Sequence, residues 1–212
     1  MVKKEEVIGL LNEFDVAYSF VANPHEQVAQ LLANGKIICR YANRMEFGPR
    51  ALGNRSILAD ATFPGVQDRL NEKLNRSDFM PFAPAILEEF ADEHFYLRGA
   101  ERAAKFMTIT CTAKKATWSK YPTVIHVDGT ARPQIVKRET DSDFHDLLSA
   151  YYRQTGHPLI LNTSFNMHEE PIVATAFDAL RTFVKSELDV LYIDDLIITR
   201  GDIKHLKDKD LM

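Results

Sequence analysis

The chain has 212 residues and a mass of 24.2 kDa; 45% of them are hydrophobic and 26% charged, a mixture that can build one sizeable core and that excludes collagen-like and low-complexity classes. A formal charge of −4 argues against gripping a long polyanion over a general basic surface, yet residues 36–76 carry eight basic side chains against four acidic ones, +4, leaving −8 for the rest. No run approaches the ~20 apolar residues of a membrane span, and Met-Val-Lys-Lys-Glu-Glu lacks the apolar stretch of a signal peptide, so the cytoplasm is the expected compartment.

In chain order, Val7, Ile8, Leu10, Leu11 and Phe14 predict an amphipathic helix over 3–14, and Asn23 as N-cap with Pro24, Glu26 and Gly35 brackets a second. Residues 36–41 read as a buried strand and 56–60 as another. Val66, Leu70 and Leu74 mark a helix behind Pro64 and Gly65. Strands are expected at 106–112, 123–127 and 134–136, then a helix through Phe144, Leu147, Leu148 and Tyr151 and a short strand at 158–161. A helix over 175–188 with Asp178 in capping-box register precedes strands at 190–193 and 196–199, and residues 204–210 read as a frayed tail. Helices and strands alternate, but several strand pairs are joined too tightly for a crossover, so an α/β fold with a mixed sheet flanked by helices is expected. Cys39 and Cys111 lie in apolar runs and read as reduced, buried thiols, and the histidines and cysteines show no metal-ligand spacing.

Three segments could carry chemistry. The first is Arg44-Met-Glu46-Phe-Gly-Pro-Arg50-Ala-Leu-Gly-Asn-Arg55, where Asn54-Arg55 stands in place of the Lys-Ser/Thr of a P-loop. Arg44, Arg50 and Arg55 suit bidentate grip on phosphate or carboxylate oxygens, or else they staple the loop through Glu46 and Asp60. The second is His126-Val-Asp128-Gly-Thr130-Ala-Arg132-Pro-Gln134, which reads equally as a simple turn; Arg132, held extended before a proline, stands out as an anion ligand, whereas His126 alternates with apolar neighbours and reads as a core residue. The third is Asn162-Thr163-Ser164-Phe-Asn166 at a strand end, either a set of donors for phosphate or carbonyl oxygens or plain Asx and Ser turns. No Gly-x-Ser-x-Gly elbow surrounds Ser164.

Together with Phe82-Ala-Pro84 and Glu170-Pro-Ile172, these motifs over 28–200 resemble the C-terminal domain of the nodulation and antibiotic-tailoring O-carbamoyltransferases, and the Thr163-Ser164-x-Asn166 element is similar to the YrdC-like fold. The resemblance implies one YrdC-like domain over 1–212, with 1–27 a helical lead-in and 201–212 a tail, built on an open twisted mixed sheet. It implies carbamoyladenylate formation from carbamoyl phosphate and magnesium-ATP, releasing phosphate and pyrophosphate, with the carbamoyl group then passed to an acceptor hydroxyl by a separate sugar-kinase-like domain. A homodimer face is expected where that partner is absent. Arg50, Arg132, Ser164 and Asn166 would be catalytic, and Arg44, Glu46, Arg55, Lys73, Arg76, Asp128, Thr130, Asn162 and Thr163 would bind substrate. Asn75 and Met80 stand where many members carry cations, with Lys73 or Arg76 as replacements. The alternative readings are a nucleotide-binding or partner-docking module without turnover and, less favoured by the charge, an RNA-binding domain.

Overall fold

A computed structural model describes residues 2–76 and 81–211. The elements run α1 (Lys4–Glu13), β1 (Ser19–Phe20), α2 (Pro24–Ala33), β2 (Ile38–Tyr41), β3 (Arg55–Ala59), α3 (Val66–Lys73), β4 (Ala83–Leu87), α4 (Glu88–His94) and β5 (Phe95–Tyr96). They continue with α5 (Glu101–Ala104), β6 (Cys111–Ala113), α6 (Lys115–Lys120), β7 (Thr130–Ala131), β8 (Gln134–Val136), α7 (Ser142–Thr155), β9 (Leu159–Ser164), α8 (Ala176–Ser186), β10 (Val190–Ile193) and β11 (Leu196–Thr199).

Eight strands form one open sheet in the order β1-β11-β10-β2-β3-β9-β4-β8, and β5-β6-β7 form a smaller antiparallel sheet. Only β10 with β2 and β4 with β8 pair in parallel, so the large sheet is mixed, as the short connections predict. Successive residues of the central strands face opposite ways. Ile38, Leu58, Ile160, Val190 and Tyr192 pack under α2 and α7, while Cys39, Ile57, Leu161 and Leu191 pack with α1, α3 and α8. This double burial is why these strands read as continuous apolar runs.

Local signals set several boundaries. Asp141 caps α7 by accepting from the Phe144 amide at 3.0 Å, and Gly156 ends it at φ 71°. Thr175 and Asp178 form the expected capping box on α8, each side chain accepting from the other residue's backbone amide. Asn23 precedes α2 but its side chain makes no cap bond, so Pro24 at the first turn carries that start. Pro84 is tolerated inside β4 because the parallel pairing with β8 begins only at Ala85.

Three expectations are corrected. Of 106–112 only Cys111 and Thr112 enter a strand, since residues 101–104 wind into α5 and Phe106 and Met107 close its turn. Residues 123–127 form no strand; Pro122–Val124 is a 3-10 turn, and His126 and Gly129 close a tight loop. Residues 204–210 are mostly exposed but not frayed, since Asp208–Leu211 wind into a 3-10 turn against α8 and the flanking Ile203 and Leu211 are buried in the core. Cys39 and Cys111 are free and buried, and burial pushes both thiols up. No helix among the described residues is long and apolar enough to cross a membrane.

Candidate functional site

Register brings the chemistry-bearing segments to one end of the large sheet. Tyr41 pairs with Arg55, Ser56 with Ser164, Ala83 with Asn162, and Ala85 with Gln134. The end of β2, the end of β9 and the starts of β3, β4 and β8 therefore meet there, and their loops enclose a cavity of about 350 Å³. Arg50, Arg76 and Arg132 line it together with Asn162, Thr163, Ser164 and His126, while Phe82 and Met107 supply apolar wall. No carboxylate is among the described lining residues.

The loop that presents Arg50 is clamped from several sides. Glu46 Oε1 accepts from the backbone amides of Leu52, Asn54 and Arg55 at 2.7, 2.7 and 3.1 Å. Gln134 donates to the Leu52 carbonyl at 2.6 Å, and Asn162 donates to Ala51 O at 3.3 Å and Gln134 Oε1 at 2.8 Å. Arg40, fully buried in β2, donates to Gly53 O and to Asp143 beneath the same loop. Gly53 holds φ 121° against the Phe144 ring, where a Cβ would come within 2.6 Å. A flexible glycine-bearing loop thus becomes a fixed platform.

The other two guanidiniums come from the segment after α3 and from the residue between β7 and β8. Arg76 donates to Thr163 Oγ1 at 2.9 Å and lies over Phe82 at 4.7 Å, and burial lowers its pKa. Arg132 Nε is buried without a hydrogen-bond partner in the structure described, and burial, then the nearby Arg50 and Arg76, hold its guanidinium below the ordinary value. Neither Arg50 nor Arg132 has a carboxylate partner among the described residues. Such a cluster is electrostatically incomplete and suits an anion that would neutralise it.

Of the residues singled out from the sequence, Arg50, Arg76, Arg132, Asn162, Thr163 and Ser164 are brought together. Others are placed elsewhere. Glu46 is occupied by the loop amides, and Arg55 donates to Ala42 O and Asn54 O and stacks on Tyr41 at 3.8 Å. Arg44 is exposed and is not among the residues that line the cavity. Lys73 pairs with Glu187 at 2.8 Å, so Arg76 alone of the two replacement cations faces the cavity. Asn166 donates to the carbonyls of Met167 and Glu170 at 2.7 and 2.9 Å and shapes the turn after β9 without lining the cavity. Asp128 and Thr130 build the turn that carries His126 and Arg132: the Thr130 amide and hydroxyl donate to Asp128 Oδ1 at 2.9 and 2.8 Å, which depresses the Asp128 pKa. Met80 lies outside the described residues, and Asn75 adopts φ 55° just after α3.

His126 is a cavity-lining residue that the sequence pattern assigned to the core. It is half-buried in a turn and lines the cavity instead of the core. The signal available was the Asx-turn pattern Asp128-Gly-Thr130, which is incompatible with a strand continuing through 127.

Comparison with known proteins places residues 29–200 on the family model described as carbamoyltransferase C-terminus. Nodulation protein NolO of Bradyrhizobium diazoefficiens is 42% identical over 173 residues, 81% of this chain and 32% of that protein. An uncharacterized protein of Methanocaldococcus jannaschii is 38% identical over 196 residues, 92% of this chain and 37% of its own length. The chain therefore spans about a third of these relatives. Among solved structures, full-length HypF in its phosphate- and nucleotide-bound form superposes with a TM-score of 0.57 at 18% identity, covering 82% of this chain and 25% of HypF. The open mixed sheet flanked by helices is the YrdC-like fold expected from the motifs.

Proposed function

The chain belongs to the carbamoyltransferase C-terminal family, and from that premise we propose that it activates a carbamoyl group, forming carbamoyladenylate from carbamoyl phosphate and magnesium-ATP for transfer to an acceptor hydroxyl by a sugar-kinase-like domain. One observation carries the reading: Arg50, Arg76 and Arg132 converge on a cavity edged by the Ser164 hydroxyl, with no carboxylate among the described lining residues. Joining a carbamate to the α-phosphate of ATP brings anions together, so neutralising charge and fixing geometry are the main demands on the protein. In this reading Arg132 and Arg76 hold the phosphoryl oxygens, Arg50 reaches across the mouth, and Ser164 and Thr163 orient the reacting oxygens by hydrogen bonds. Asn162, which ties the Arg50 loop to β9, acts by positioning.

Magnesium arrives with the nucleotide. No group of three His, Cys, Asp or Glu side chains that could hold a metal occurs among the described residues, and no carboxylate is among the described residues that line the cavity, so the ATP phosphates would carry the ion. HypF, a structural neighbour of which this chain covers 25%, was crystallised in a phosphate- and nucleotide-bound form.

The test is calorimetry of magnesium-ATP into the full chain, with and without carbamoyl phosphate, followed by assay of pyrophosphate release. Binding of both ligands with pyrophosphate release supports adenylate formation. Binding of ATP without any release would reassign the chain to a nucleotide-binding module without turnover, and a flat titration at millimolar ATP with folded protein would overturn the proposal.

A further inference from the structure

Releasing both phosphate and pyrophosphate from carbamoyl phosphate and ATP consumes one water, because the carbamoyl oxygen that bonds the α-phosphorus must first be freed from its own phosphorus. That water has to lose a proton, and arginines, asparagine and hydroxyl groups are poor proton acceptors near neutral pH. Among the described residues that line the cavity the exception is His126.

Its protonation pattern follows from a chain of hydrogen bonds. The Thr130 hydroxyl has a single hydrogen, which it donates to Asp128 Oδ1 at 2.8 Å. The Thr130 oxygen lies 3.0 Å from His126 Nδ1 and has only lone pairs left to offer, so Nδ1 carries the ring hydrogen and donates it. Nε2 is left with its lone pair and without a protein partner among the described residues. Backbone bonds lock the same turn: His126 N–H donates to Thr130 O at 2.7 Å, and Gly129 N–H donates to His126 O at 2.9 Å.

We infer that His126, held in the Nδ1–H tautomer by Thr130 and Asp128, accepts through Nε2 the proton of the water that splits carbamoyl phosphate in this cavity. The inference rests on the carbamoyl-activation reading above. In the step, an O–H bond of water breaks and its proton goes to Nε2 while the water oxygen bonds the phosphorus. The P–O bond to the carbamoyl oxygen breaks with its electron pair on the departing carbamate. Water, carbamoyl phosphate and neutral His126 thus give carbamate, hydrogen phosphate and the imidazolium, which returns its proton to solvent through the cavity mouth. The neutral ring is the form available at neutral pH: burial lowers the His126 pKa, Asp128 pulls against that, and Arg132 adds to it, with Arg50 and Arg76 contributing further positive charge to the same cavity.

The experiment measures phosphate release from carbamoyl phosphate by the full chain between pH 4.5 and 9, together with carbamoyl phosphate affinity, for wild type, His126→Gln and Thr130→Val. Wild-type rate should rise with pH to a midpoint below the ordinary histidine value of about 6.5 and stay level above it. His126→Gln should abolish that rise and slow release by about 10²- to 10⁴-fold while affinity changes by less than about threefold. Thr130→Val should admit the Nε2–H tautomer, visible in the ¹⁵N shifts of the labelled ring, and slow release with affinity retained; it serves where His126→Gln does not fold. Retained binding with a wild-type rate and pH profile in either folded variant overturns the role of His126 alone. Absence of carbamoyl phosphate binding in wild type overturns the functional reading and this inference together.

Discussion

Replacing Glu46 by alanine should destabilise the chain far more than a substitution in an ordinary surface loop, because one carboxylate oxygen accepts from three backbone amides, those of Leu52, Asn54 and Arg55. Hydrogen bonds to a charged group are worth about 1.5–3 kcal/mol each, and the three distances of 2.7, 2.7 and 3.1 Å are all within bonding range. Glu46 is only half-buried, so water can reach part of the vacated space; discounting for that leaves about 3 kcal/mol for the set. With a urea m-value of about 2 kcal/mol/M, the unfolding midpoint should fall by about 1.5 M. Glu46→Gln keeps an acceptor oxygen and loses only the charge, so about 1 kcal/mol, or about 0.5 M urea, is expected. Equilibrium urea unfolding followed by circular dichroism measures both, and magnesium-ATP calorimetry on the folded variants should show a larger affinity loss for alanine than for glutamine, because the unclamped loop no longer fixes Arg50. A Glu46→Ala midpoint within about 0.3 M of wild type would refute the claim that this carboxylate organises the loop.

Two other substitutions separate structure from ligand binding. Arg132→Lys keeps the charge but loses the planar fork, and with no protein partner at Nε to forfeit, affinity for carbamoyl phosphate should fall about tenfold while the melting temperature moves by less than about 2 °C; a large drop in melting temperature with affinity intact would make Arg132 structural. Gly129→Ala places a Cβ 1.5 Å from Trp118 Cζ2 at φ 80°, so the turn must open, costing about 2–4 kcal/mol and weakening ligand binding through His126 and Arg132; wild-type stability and affinity in this variant would show that the turn does not set the site.

How far the site was legible from sequence depends on what each residue answers to. Arg50 and Arg132 were visible as cations in glycine- or proline-fixed segments and Ser164 as a hydroxyl at a strand end, and the structure gathers them. Arg55 was chemically indistinguishable from Arg50 in the same loop, yet it begins β3 and turns into the sheet against Tyr41. Strand register decides that difference, and a single segment does not encode register. Lys73 and Arg76, three residues apart, part company because α3 ends between them: Lys73 stays on the helix opposite Glu187 and Arg76 leaves it toward Thr163. The apolar alternation around His126 imitated a strand, but Pro122 and the Asp128-Gly129 turn override β propensity there. β4 was hidden for the opposite reason, since Ala83, Pro84 and Ala85 carry little strand propensity and are extended only because β9 and β8 flank them. The strands of the central sheet, by contrast, are buried on both faces and announce themselves by composition alone.

Trp118 is the chain's single tryptophan, and its indole rests on Gly129 at the turn that presents His126 and Arg132, with Nε1 donating to Ala113 O at 3.2 Å. Because the ring is 42% exposed, its emission is sensitive to both solvent and the position of that turn. The protein consequently carries an intrinsic optical reporter beside the turn of the arginine-lined cavity, one that needs no label. Ligand-induced movement of the turn becomes a fluorescence change attributable to one residue, readable in a stopped-flow instrument on the timescale of a single turnover.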